Sequence, residues 1–193
     1  MAPLIAGIFV GGQARRMNGA AKGLLWGPDK VMLVERWLKL FEQLGVPAVL
    51  VGASDAYRNL DLPMLKDDPV GVGPLGGLIA LLKHASTRRA LVVACDMPWV
   101  SLRLLERLVT SYPEASLLAA AYDGQWQPFF ARHEATVSLP IAERCLTANR
   151  RGLHHVLTEA NAQRLELNAA EASELRDWDS EEDIARDGGP WPV

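Results

Sequence analysis

Residues 4–12 read Leu4-Ile5-Ala6-Gly7-Ile8-Phe9-Val10-Gly11-Gly12, a nearly unbroken apolar run that stops at paired glycines. A strand buried on both faces of a parallel sheet looks like this, and the glycines require a loop straight after it. Working outward, Val34, Trp37, Leu38, Phe41 and Leu44 recur at helical spacing until Gly45-Val46-Pro47 stops them. Ala48 to Val51 and Met64-Leu65 read as further strands, and Leu75 to Leu82 as a helix entered through Gly73-Pro74. Ala90 to Cys95 is the clearest later strand, followed by a helix over Ser101 to Val109 capped by Ser101, then a strand over Leu117 to Tyr122. This alternation predicts a three-layer α/β domain with a mostly parallel sheet, and puts the ligand site at the carboxyl ends of the strands.

Past Tyr122 the pattern mixes: Gln127 to Ala131 reads as extended, Glu134 to Cys145 and Gly152 to Glu159 as helical, and Leu165 to Leu167 as extended again. Ser180-Glu181-Glu182-Asp183 has the form of a capping box opening a short last helix. One domain is expected over residues 1–187, with a loose tail over 188–193 after Gly188-Gly189-Pro190.

With 193 residues, 49% of them hydrophobic, the chain has enough apolar side chains for a packed core. Twenty basic and 23 acidic residues give a net charge of −3, which argues against a nucleic-acid partner. Cys95 and Cys145 show no CxxC spacing, so no disulfide framework or thiolate metal site is expected and a cytoplasmic location is the simplest reading. Met1 to Val10 lacks a basic leader and suits a strand better than a signal peptide. No apolar stretch reaches the ~18 residues of a membrane span, so no membrane partner is expected. His84, His133, His154 and His155 form no spaced ligand set and are expected at the surface or its boundary.

The loop after the first strand, Gly11 to Lys22, has neither the GxGxxG nor the GxxxxGK[ST] spacing. Its glycines allow close backbone approach to an anion, and Arg15, Arg16 and Lys22 add positive charge. That describes a polyphosphate cradle, and read from the residues alone it equally describes a solvated basic turn.

Gly11-Gly12-Gln13-Ala14-Arg15-Arg16-Met17-Asn18-Gly19, continued by Lys22-Gly23-Leu24-Leu25, resembles the nucleotidyltransferase signature LxGGxxxRMGxxK in the form used by molybdenum cofactor guanylyltransferases, the MobA-like family. Phe9-Val10 stands for the usual Leu-Ala, and Asn18 for a glycine, a position where Asn tolerates positive φ. Asp67-Asp68-Pro69-Val70-Gly71-Val72-Gly73-Pro74-Leu75-Gly76-Gly77 resembles the second signature, an Asp, a spacer and GPLxG. Cys95-Asp96-Met97-Pro98 resembles the Cys-Asp-x-Pro run, in which the Asp holds magnesium; a structural helix-capping Asp is the competing reading. Gln127-Pro128-Phe129-Phe130 resembles the segment lining the acceptor side of the cleft, with Trp126 beside it as a candidate to stack on the acceptor. Asp177-Trp178-Asp179-Ser180-Glu181-Glu182-Asp183-Ile184 resembles the closing N-x-N-[ST]-P-E-[DE]-L, with Asp for both Asn residues, as related cytidylyltransferases more often have it.

The resemblance implies a Rossmann-like nucleotidyltransferase domain that transfers GMP from Mg-GTP to the terminal phosphate of molybdenum-molybdopterin. Val10, Gly11, Gly12, Lys22, Asp67, Gly73, Pro74, Leu75, Gly76 and Asp96 would bind the nucleotide; Arg16, Lys22 and Asp96 would carry catalysis; Asp96 would hold Mg²⁺. A carboxylate such as Asp67 can accept from the N1 and N2 edge of guanine. Gln127, Pro128, Asp177 and Asp179 are the expected acceptor contacts, the two aspartates altering the pterin contact or adding a metal ligand. Arg150 and Arg151 would bind an acceptor phosphate, or stand in an ordinary solvated loop. Molybdenum-insertion or molybdoenzyme-maturation proteins are the expected protein partners. The alternatives are a nucleotidyltransferase of the same fold that uses CTP or another nucleotide, and a non-catalytic nucleotide-binding regulator.

Overall fold

The structure, a computed structural model, describes residues 3–11 and 21–187. The apolar run becomes β1 (Leu4–Phe9), buried from its second residue and paired in parallel with β2 (Ala48–Val51) on one side and β4 (Arg89–Ala94) on the other. Gly7 lies where helix α2 (Pro74–Ala85) comes closest, because a Cβ there would run into Leu81. With β3 (Met64–Leu65), β5 (Leu117–Tyr122), β6 (Gln125–Glu134) and β7 (Gln163–Glu166), the sheet has seven strands in the order β3-β2-β1-β4-β6-β5-β7. All pairs are parallel except the two made by β6. β6 runs backwards because Asp123 and Gly124, at φ 48° and 74°, close a two-residue hairpin after β5.

Alternate strand residues feed two apolar layers, giving the three-layer α/β architecture. Ala6, Ile8, Leu50, Leu91, Val93 and Leu118 pack with α1 (Leu33–Gln43), α3 (Leu102–Thr110) and the short α6 (Ala169–Glu174). Ile5, Val49, Val51, Ala90, Val92 and Ala119 pack with α2, α4 (Ala135–Thr147) and α5 (Leu153–Glu159). A third cluster joins Leu25, Leu33 and Trp178 to Ile184 of α7 (Glu181–Arg186), whose capping box uses Ser180 and Asp183.

One expectation is corrected. His133 is 2% exposed, because β6 has a partner on both sides and its inward residues enter the core; its Nδ1 lies 3.2 Å from Ser138 Oγ. Among the described residues, no helix is long and apolar enough to cross a membrane.

Candidate active site

β1 and β4 run parallel and end side by side, Phe9 opposite Ala94, so the loops opening at Gly11 and Asp96 share one edge of the sheet. The first loop leaves through a backbone crossing: Val10 and Gly11 both donate to the Val51 carbonyl, at 2.9 and 3.3 Å. A Cβ on Gly52, itself at φ 104°, would stand 2.6 Å from the Gly11 Cα, so neither side of that crossing has room for a side chain. Gly12 and Arg16 lie outside the described residues.

The chain returns at Lys22, in a one-turn 3₁₀ helix over Lys22–Leu24. Buried Tyr57 supports this turn, its hydroxyl accepting from the Gly23 N–H at 3.0 Å. From there Lys22 Nζ donates to Asp96 Oδ2 at 2.8 Å and to Asp179 Oδ1 at 2.7 Å. Three segments remote in sequence thus meet at one ammonium. Burial works against its charge, but the hydrogen bonds to Asp179 and Asp96 outweigh that and its pKa lies above the ordinary 10.5. Burial, then the charges of Asp179 and Asp96, raise the Asp177 carboxyl. Cys95 beside this cluster is a protonated core thiol, pushed up to about 12 chiefly by burial.

The second edge of the site is the entry to α2. Gly73 takes φ 70° at the N-cap and Pro74 follows at the first helical position, where its missing N–H costs nothing. A Cβ on Gly76 would collide with the Pro69 carbonyl and stand 3.3 Å from the Asp67 Cβ, so this glycine lets the 67–72 loop fold onto the helix. The Asp68 N–H donates to the Gly76 carbonyl at 3.1 Å. Asp67 is half-buried and desolvation raises its carboxyl. Leu75 points its side chain into the core, which leaves its backbone as what it offers a ligand.

The acceptor-side segment sits at the same end of the sheet. β6 pairs Ala131 with Ala119 but Gln127 with Ala120, so Pro128, Phe129 and Phe130 form a bulge opposite β5 while Phe130 stays in register with Val93. Phe129 packs edge-on against Phe9, with ring centroids 5.4 Å apart. The Arg164 guanidinium lies 4.7 Å above Trp126 and covers one of its faces. Arg150 is paired with Glu159, which also accepts from Arg144 at 2.9 Å, and Arg151 donates to Asn149 at 2.9 Å. Among the described residues, no hydrogen bond links Arg150 or Arg151 to Lys22, Asp96 or Asp179.

Asp96 and Asp179 flanking one cation are donors suited to a hard divalent metal that keeps phosphate oxygens and waters as its other ligands. Among the described residues, no group of three His, Cys, Asp or Glu forms a metal centre on its own. Neither the support from Tyr57 nor the contact between Asp179 and Lys22 has a local sequence signal, since 34 and 157 positions separate the partners.

Comparison with known proteins identifies the family. A "Probable molybdenum cofactor guanylyltransferase" of Chloroflexus aggregans is 34% identical over 162 residues, covering 80% of this chain and 77% of its own. A relative of the same name from Flavobacterium johnsoniae is 27% identical over 188 residues, covering 95% and 96%. Among solved structures, molybdopterin-guanine dinucleotide biosynthesis protein A from Archaeoglobus fulgidus superimposes with a TM-score of 0.75 at 22% identity, over 94% of this chain and 95% of that one, a likeness of fold. The MobA-like NTP transferase domain matches residues 6–165, from β1 into β7, and the chain belongs to that family of nucleotidyltransferases.

Proposed function

We propose that the protein transfers GMP from Mg-GTP to the terminal phosphate of molybdenum-bearing molybdopterin, releasing pyrophosphate and forming the guanine dinucleotide cofactor. The observation that carries this reading is the Lys22 ammonium held between Asp96 and Asp179 where β1 and β4 end. In the reaction an acceptor phosphate oxygen bonds to the α-phosphorus while the bond from that phosphorus to the α–β bridging oxygen breaks, and pyrophosphate leaves. A phosphate is already an adequate nucleophile, so the protein's task is to position it and to neutralise charge. Gly11 and the loop after it, with Gly12 and Arg16, cradle the triphosphate; Lys22 stabilises charge developing on it and on the leaving group. Asp67 accepts from the guanine N1 and N2 edge, and Gly73 to Gly76 bring the first turn of α2 up to the nucleoside. Asp96 and Asp179 hold Mg²⁺, which when bound supplies neutralising charge to phosphate oxygens. Gln127, Pro128 and Asp177 face the acceptor. The enzyme works in the cytoplasm and exchanges its labile cofactor with molybdenum-insertion or molybdoenzyme-maturation proteins.

The aspartates at 177 and 179, where guanylyltransferases more often have asparagine, make CTP the rival nucleotide. The test is the thermal midpoint in Mg²⁺ with GTP, CTP, ATP or UTP. Selective binding to the native state stabilises it by about 2.7 kcal/mol at a ligand concentration a hundredfold above Kd. GTP should raise the midpoint most, and a larger rise with CTP refutes the guanylyl reading.

A further inference from the structure

Asp187 lies three residues beyond the closing motif, outside every motif residue, and its carboxylate joins the two segments that carry the acidic residues of the site. Its Oδ2 accepts from Trp178 Nε1 at 2.9 Å and from Trp99 Nε1 at 3.1 Å. Its Oδ1 faces Arg176 at 3.6 Å and Arg186 at 3.8 Å, and only 7% of the side chain is exposed. Trp99 stands three residues after Asp96 and Trp178 one residue before Asp179. The Trp178 N–H donates to the Asp96 carbonyl at 3.0 Å, and its fully buried indole packs with Leu25, which follows Lys22 by three positions. Two indoles sharing one oxygen hold the Asp96 loop and the 177–179 segment at a fixed separation. The Trp178 indole is fully buried, so its N–H would otherwise need another partner within the protein.

We propose that Asp187 is a positioning residue for the transfer reaction: by clamping Trp99 to Trp178 it sets Asp179 beside Asp96 around Lys22. This rests on the reading of that cluster as the reaction site, while the clamp has a consequence that can be measured without turnover. Partners that orient metal-binding side chains typically cost about 10- to 100-fold in affinity or activity when removed.

The test compares the parent with Asp187→Ala, Asp187→Asn and Trp99→Phe. One readout is Mn²⁺ binding, followed by the electron paramagnetic resonance signal of the free ion; the other is kcat and KM for GTP. Asp187→Ala should lose about tenfold or more in Mn²⁺ affinity and in kcat, with KM for GTP little changed. Asp187→Asn keeps a carbonyl acceptor for the indoles and should recover most of both, and Trp99→Phe should fall between. Should Asp187→Ala fail to fold, the Asn and Phe variants give the answer. Parental Mn²⁺ affinity in Trp99→Phe and Asp187→Ala, or an Asn variant no better than Ala, overturns the proposal. A parent that binds Mn²⁺ but transfers no GMP refutes the proposed function and leaves the clamp standing.

Discussion

Replacing Lys22 by alanine is the most discriminating single change, because it should lower stability and turnover while strengthening the response to a divalent metal. The ammonium and its Asp96 partner are 18% and 13% exposed, whereas Asp179 is 55% exposed. Water screens the Asp179 pairing, which is therefore worth less than about 1 kcal/mol. The Asp96 carboxylate is mostly shielded, and leaving it without its charged donor costs about 1–3 kcal/mol. For a chain of this size that lowers the thermal midpoint by roughly 2–12 °C. Because the Lys22 pKa is raised, its stabilising contribution is complete below the unfolded value of 10.5 and is lost only above it, so measurements near neutrality read the full effect.

Without Lys22 the two carboxylates are left facing each other with no cation between them. Mg²⁺ alone should then raise the midpoint of Lys22→Ala more than that of the parent. In steady-state GMP transfer, loss of a preorganised charge at the reacting phosphate costs on the order of 10²–10³ in kcat with little change in KM. Lys22→Arg should recover this only in part, since a planar fork does not replace a compact point charge. A raised KM with unchanged kcat would make Lys22 a uniform binding contact. An unchanged midpoint, with no extra response to Mg²⁺, would mean that the three-way pairing does not form.

Asp67→Asn should weaken GTP binding more than CTP binding, because one acceptor becomes a donor facing the donors of guanine; calorimetric titration of both nucleotides checks this, and equal losses refute it. Desolvation raises the Asp67 pKa above 3.8, so the preference for GTP should start to erode on acidification before an ordinary aspartate protonates. Burial lowers the His133 pKa from 6.5 to about 4, so as pH falls between those values the unfolded chain takes up a proton that the native chain refuses. Stability should therefore drop by about 3 kcal/mol across that window, and His133→Gln should flatten the slope of midpoint against pH; parallel slopes refute the assignment.

The elements legible in the sequence are those whose burial is one-sided or complete. β1, β2 and β5 are apolar runs between loop signals, and α1 and α3 carry apolar residues at helical spacing. α6 carries no apolar periodicity because none of its residues is buried; its signal is the capping box of Asn168 and Glu171. The hairpin into β6 was available in Asp123-Gly124, yet its strand runs from Gln125 to Glu134 with polar residues facing inward, Arg132 and His133 among them. Arg132 is accommodated there by donating to the carbonyls of Leu108, Val109 and Tyr112 at the end of α3. Within the site, Lys22 and Asp96 stood out by their motifs, but their convergence with Asp179 and the support from Tyr57 and Asp187 depend on tertiary placement, which no local pattern encodes.

The most direct test follows the α-phosphate itself. The protein is incubated with Mg²⁺, molybdenum-molybdopterin and GTP or CTP labelled at the α-phosphorus, and the labelled products are separated. Label from GTP is expected in a pterin dinucleotide, with one pyrophosphate released per transfer, and little transfer from CTP. Preferential transfer from CTP, or GTP breakdown with no labelled dinucleotide, contradicts the proposed function.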